Sequence, residues 1–124
     1  MTQEEKQLLL TDLSARLPYN LSVEIEGVEA KPLGCNKVIN INIRGNWVYI
    51  SSIPTEIEID LIKPYLRPMS SMTEDETMEY HRLRSNSRIS GEFTLFVDWL
   101  NAKYFDYRKL IEKGLALEAP KGMY

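Results

Sequence analysis

The stretch KVININIRGNWVYIS, residues 37–51, constrains the fold more than any other. Apolar and polar side chains alternate on both sides of Gly45-Asn46, and alternation is the pattern of half-buried strands. Gly at the first central position fits a two-residue type II′ turn, so the sequence predicts a hairpin over 39–51. In that register Arg44 faces Trp47, Ile43 faces Val48, Asn42 faces Tyr49, Ile41 faces Ile50 and Asn40 faces Ser51. One face is then Ile39, Ile41, Ile43, Val48 and Ile50. The other is Asn40, Asn42, Arg44, Trp47, Tyr49 and Ser51. A one-residue slip would mix the two sets, which supports the register. The apolar face needs a covering layer, and the remaining elements have to supply it.

Thr2 and Glu5 have capping-box spacing, and Leu9, Leu10, Leu13 and Leu17 share a helical face, which predicts a helix over 3–17 ended by Pro18. Leu21, Val23 and Ile25 alternate with polar residues and predict a strand over 20–26. Residues 27–36, with Gly27, Pro32 and Gly34, leave room for a short strand near 28–32. Ile57, Ile59 and Leu61 alternate, then Ile62, Tyr65 and Leu66 shift to helical spacing, so 55–62 reads equally as strand or helix. Pro64 and Pro68 predict irregular chain over 63–72. Thr73 and Glu76 form a second capping box ahead of a helix over 74–84 with Met78 and Leu83 inward. Residues 85–91 read as a polar loop, and 94–105, apolar on most sides, as a buried helix. Asp106 can cap a last short helix ending at Gly114, and the tail with Pro120 and Gly122 reads as loose. These elements make one α+β domain over 1–124: a small antiparallel sheet carrying the 39–51 hairpin, an amphipathic first helix and C-terminal helices.

The chain has 124 residues, 15 basic and 18 acidic, with one Cys and one His. The net charge is -3 and the pI about 5.2, which disfavours nucleic acid as a partner. No apolar run is long enough for a membrane span, and the start lacks the basic and apolar regions of a secretory signal. A lone Cys fits a reducing cytoplasm. Cys35 and His81 cannot supply a four-ligand metal site, and no Gly-rich phosphate loop is present. With no marked nucleophile and no metal spacing, the sequence predicts no enzyme, no catalytic residue and no cofactor.

The segments KPYLRPMSSMTEDE, residues 63–76, and DWLNAKYFDYRKLIEKGLALEAP, residues 98–120, resemble stretches of small proteins encoded by phages and prophages of gut Bacteroidales. The resemblance covers roughly the second half of the chain and implies expression inside a bacterium, hence a cytoplasmic protein. It implies no activity and no site residue.

Three constellations are candidate sites. Asn40, Asn42, Arg44, Trp47 and Tyr49 combine flat rings for stacking, amides that read base edges or ribose hydroxyls, and a guanidinium for phosphate; the plain alternative is a solvated sheet face. Arg67, Ser70, Ser71 and Thr73 lead into a helix N-terminus, where an anion is favoured, although Glu74, Asp75 and Glu76 already answer that dipole. Arg82, Arg84 and Arg88, beside His81, offer charge for phosphate or an acidic partner, or simply complement a helix C-terminus. Glu56, Glu58 and Asp60 would share one face in a strand, most simply a solvated one. Together these predict a non-catalytic binding protein acting in counter-defence by sequestering a nucleotide immune signal, built as a homo-oligomer. The alternative is a protein-binding inhibitor of a host factor, or a structural or accessory phage protein, with the aromatic face as its interface.

Overall fold

The computed structural model of the chain describes residues 1–28, 36–42, 46–91 and 93–124. Among the described residues, three α-helices, α1 (Gln3–Arg16), α2 (Glu74–Ser90) and α3 (Thr94–Ala102), accompany six short strands: β1 (Val23–Ile25), β2 (Val38–Asn42), β3 (Trp47–Ile50), β4 (Glu56–Glu58), β5 (Ile62–Leu66) and β6 (Leu117–Glu118). The fold is α+β, as the patterning predicts. The strands form two three-stranded sheets, β1-β5-β6 and β2-β3-β4. Val38 N–H donates to Leu21 O at 3.1 Å and Val23 N–H to Asn36 O at 3.0 Å, joining the sheets where β1 and β2 begin.

Both predicted capping boxes form. Thr2 and Glu5 close the start of α1, with reciprocal bonds of 2.9 and 3.1 Å, and Thr73 with Glu76 does the same for α2. α1 buries Leu9, Leu10 and Leu13 against Val23, Ile25, Val48, Ile50, Ile62 and Leu66, in one core that also takes in Leu110, Leu115 and Ala116 from the end of the chain. The fully buried side chains Asp12 and Arg16 also lie in α1. Arg16 Nε and Nη2 fork Asp12 at 3.0 and 3.2 Å, and Nη2 also donates to Phe105 O at 2.6 Å. Arg108 Nη1 reaches the same Asp12 at 2.7 Å, and the Tyr107 ring lies beside both guanidinium groups.

The hairpin forms in a different register. Asn42 pairs with Trp47, Ile41 with Val48 and Asn40 with Tyr49, where the sequence predicts Tyr49, Ile50 and Ser51 as their partners. The slip is two residues, which preserves side-chain parity and so leaves the faces sorted. A bulge between Val38 and Asn40 then brings Val38, not Ile39, opposite Ile50. Ile39 is 59% exposed while Val38 is buried, which corrects the inward placing of Ile39. Arg44, Ile43, Gly45, Cys35 and the short strand near 28–32 fall wholly or largely outside the described residues.

Residues 55–62 resolve into β4, a 3-10 turn at Ile59–Leu61 and the start of β5. Residues 63–66 are strand rather than irregular, with Pro64 opposite Val23. Tyr65 N–H donates to Ser22 O at 2.9 Å, so by alternation the Pro64 nitrogen turns away from β1, at a level β6 has not reached. A proline is tolerated there because no ladder bond is missing. α2 continues through 85–90 and ends at Gly91, φ 72°, whose N–H bonds to Ser87 O; the polar residues predicted as a loop are its outer turns. α3 is not a buried helix: only Leu100 and Asn101 are buried, and Leu95 is 66% exposed. Met78 is exposed, contrary to its predicted inward placing. Asp106 does accept Leu110 and Ile111 N–H at 2.8 and 2.9 Å, but turns follow instead of a helix, and Lys109 has φ 61°. The tail is held rather than loose. Leu117 and Glu118 pair with Tyr65 and Leu66, and the Tyr124 hydroxyl accepts from Ser22 N–H at 3.1 Å and donates to Tyr65 O at 2.8 Å.

Candidate functional site

The outer face of the β2-β3-β4 sheet brings four of the five predicted hairpin residues together. Directly paired residues project to the same side of an antiparallel sheet. The pairings therefore make two rows across three strands: Asn42, Trp47 and Glu58 in one, Asn40, Tyr49 and Glu56 in the other. Arg44 lies outside the described residues. Trp47 is half-buried, and Asn40, Asn42 and Tyr49 are exposed. Behind them Val48 faces the core, so the side chains stand on a supported layer.

Glu56 and Glu58 change the electrostatics of this face. The Glu56 carboxylate beside Tyr49, helped by partial burial, pushes the phenol above its ordinary range and keeps it neutral. Glu56 Oε2 is enclosed and makes no hydrogen bond. The Asn40 side-chain oxygen accepts from Ile41 N–H at 2.8 Å, next to the bulge, which leaves its amide N–H groups as the free recognition atoms. The face thus offers one indole, one phenol, amide donors and carboxylate acceptors. Sequence reasoning missed the two glutamates as members of this face because it examined the hairpin alone; the alternation Glu56-Ile57-Glu58 beside a strand was the available signal.

Arg82, Arg84 and Arg88 lie on α2, which packs on α3 through contacts such as the Tyr80–Phe96 edge-on ring pair at 5.3 Å. No described hydrogen bond, ion pair or ring contact joins them to the hairpin face. Arg82 is paired with Glu79 on the helix surface. Arg84 and Arg88, one turn apart, are exposed and have no carboxylate partner among the described residues.

Three of the four predicted anion residues, Arg67, Ser71 and Thr73, line an open groove of about 870 Å³ between the start of α2, the end of α3 and the tail. The donors of Arg67 and Ser71 are already used, and the Thr73 hydroxyl is taken as a cap. Arg67 forks Glu76 at 2.7 and 2.9 Å and stacks over Phe105 at 4.3 Å, and Thr73 Oγ1 accepts Glu76 N–H. Ser71 Oγ donates to Pro68 O at 2.7 Å. The Arg67 guanidinium, with the Thr73 cap, holds the Glu76 carboxyl down to about 2. Ser70 is exposed and off the groove lining. The acidic first turn of α2 therefore closes this site from within, as its composition implies. On the opposite wall Tyr104 takes a left-handed backbone, φ 64°, held by its hydroxyl on Tyr19 O and by stacking on Tyr124 at 3.6 Å.

Asp60 does not join Glu56 and Glu58; it sits in the 3-10 turn and pairs with Lys6 at 3.3 Å. Among the described residues no His, Cys, Asp and Glu cluster can hold a metal, and no helix is long and apolar enough to cross a membrane. Comparison with protein-family models, with curated proteins and with solved structures finds no match.

Proposed function

We propose that this protein is a non-catalytic binder whose recognition surface is the outer face of β2-β3-β4. The observation that carries the reading is the pair of cross-strand rows, Asn42-Trp47-Glu58 and Asn40-Tyr49-Glu56, standing outward over a buried layer. A ring stacks on Trp47 or Tyr49, amides of Asn40 and Asn42 meet acceptors on its edge, and Glu56 or Glu58 accept from hydroxyl or amino groups. A nucleobase with its ribose has these features. Two carboxylates disfavour a phosphate lying flat on the same face, so the phosphate of a bound nucleotide extends past the rim, towards solvent or a second chain of a homo-oligomer. In the setting implied by the resemblance of residues 63–76 and 98–120, such a binder acts by sequestering a nucleotide immune signal of the infected bacterium.

Native mass spectrometry with a panel of cyclic and linear nucleotides tests this. The expected result is a mass step in fixed ratio to subunits that disappears in Trp47→Ala and weakens at least about tenfold in Asn42→Ala, the scale of one lost buried hydrogen-bond partner. No step with any nucleotide, or a step unchanged in both variants, overturns the proposal. Far-UV circular dichroism of each variant checks the fold.

A further inference from the structure

The two rows of the sheet face are not equally available to a ligand. In the Asn40-Tyr49-Glu56 row the polar groups are largely spent within the protein: Asn40 Oδ1 accepts from Ile41 N–H, the Tyr49 hydroxyl bonds Glu56, and Glu56 Oε2 is enclosed. In the Asn42-Trp47-Glu58 row the side chains of Asn42 and Glu58 are exposed and have no hydrogen bond or ion pair among the described residues. This row is fixed by its backbone. Asn42 and Glu58 are both direct partners of Trp47, and Ile59 N–H donates to Asn46 O at 3.0 Å just beyond the last pair. Neighbouring strands lie about 4.8 Å apart, so an amide and a carboxylate flank the indole from strands about 10 Å apart.

We propose that this row seats a guanine base in particular, stacked on Trp47, with Glu58 accepting from its ring N–H and its exocyclic amino group and Asn42 donating to the imidazole nitrogen on its far side. The inference rests on the reading of the face as a nucleobase surface and narrows it to one base. A carboxylate offers only acceptors. Guanine carries two adjacent donors on one edge and a ring-nitrogen acceptor across from them. Adenine and cytosine set a ring lone pair beside the amino group, and uracil has a single N–H between two carbonyls. Each of these turns a lone pair towards the Glu58 anion or leaves one of its oxygens unmet. Asn42 suits either purine, because both carry the far-side nitrogen. Trp47 stacks on any base and adds affinity without choice. Glu58 is therefore the side chain that discriminates.

The test is isothermal titration calorimetry of the full chain with matched nucleotides of guanine, adenine, cytosine, uracil and hypoxanthine, as monophosphates and as cyclic dinucleotides. Hypoxanthine keeps the ring N–H of guanine and lacks its amino group. The expected result is binding of the guanine nucleotides at least about tenfold tighter than of the others. Glu58→Gln is expected to cut the preference for guanine over adenine at least about tenfold, because a carboxamide offers one acceptor and one donor and so matches the amino group and ring nitrogen of adenine. Glu58 is exposed on an edge strand, so this variant keeps the fold, which circular dichroism verifies. Guanine bound no tighter than another base, with binding that Trp47→Ala abolishes, overturns the guanine assignment and leaves the reading of the face standing. A guanine preference unchanged in Glu58→Gln overturns the assignment in the same way. Binding of no nucleotide, or binding unchanged in Trp47→Ala, overturns both.

Discussion

Asp12 and Glu76 are both ion-paired to arginine, and they are held in opposite ways. Asp12 is wholly buried and answered by two arginines, one from its own helix and one from residue 108. Removing one member of a buried pair leaves an uncompensated charge, so Asp12→Ala is expected to destabilise by about 3–5 kcal/mol, read as a lower urea midpoint at unchanged slope. Glu76 stands at the rim of a groove with Arg67 alone across from it. Its carboxyl is lowered to about 2, so its contribution is fully present above the unfolded carboxyl range, about 4.3, and is lost as pH falls towards 2. Water at the rim limits the gain to about 1–2 kcal/mol. Glu76→Gln is therefore expected to lower stability at pH 7 by that amount and to flatten the stability profile between about pH 5 and pH 2, followed by urea unfolding across that range.

At the scale of elements, what was legible in the sequence was set by local chemistry. Both capping boxes, the α1 stripe of Leu9, Leu10 and Leu13, and the two-faced hairpin depend on neighbours within a turn or across one strand, and all form. The hairpin register was not legible, because a slip of two residues keeps every side chain on its face. The bulge that expels Ile39 is a second decision the alternation cannot record. Val38→Ala is accordingly expected to cost about 2 kcal/mol and Ile39→Ala less than about 0.5 kcal/mol, measured by thermal unfolding. The outer turns of α2 were misread because its polar residues match a loop in composition; only packing of Tyr80 and Ser87 against the rest of the protein distinguishes them. With one thin contact face and mostly exposed side chains, α2 is expected to exchange its amides ahead of α1, which is buried along a full side. The candidate site was legible in its aromatic and amide members. It was illegible in Glu56 and Glu58, which join it only through pairing of β4 with β3.

At the scale of the molecule, the two sheets and α1 share one set of buried side chains, and residues 110–116 complete it. A shared core couples its parts, so near-ultraviolet and far-ultraviolet circular dichroism are expected to report one coincident urea transition. Two separated midpoints would show that the sheets unfold independently. The tail is part of that unit: burial raises the Tyr124 phenol to about 12, and its hydroxyl bridges Ser22 and Tyr65. Tyr124→Phe, which removes both bonds, is expected to cost about 1–2 kcal/mol in the same urea experiment. The binding surface proposed for the sheet face lies outside this core, so its variants separate recognition from stability.

The Asp12 pair also fixes a timetable. Arg16 is emerging from the ribosome long before Phe105 and Arg108, yet its guanidinium finds its carbonyl partner, and Asp12 its second arginine, only when those residues arrive. An early compact intermediate built from the first half alone would have to enclose a charge half-answered, which selects against it. The Asp12 and Arg16 charges are thus fully answered only when residues 105–108 are docked on α1, which ties the first helix to a segment some ninety residues away.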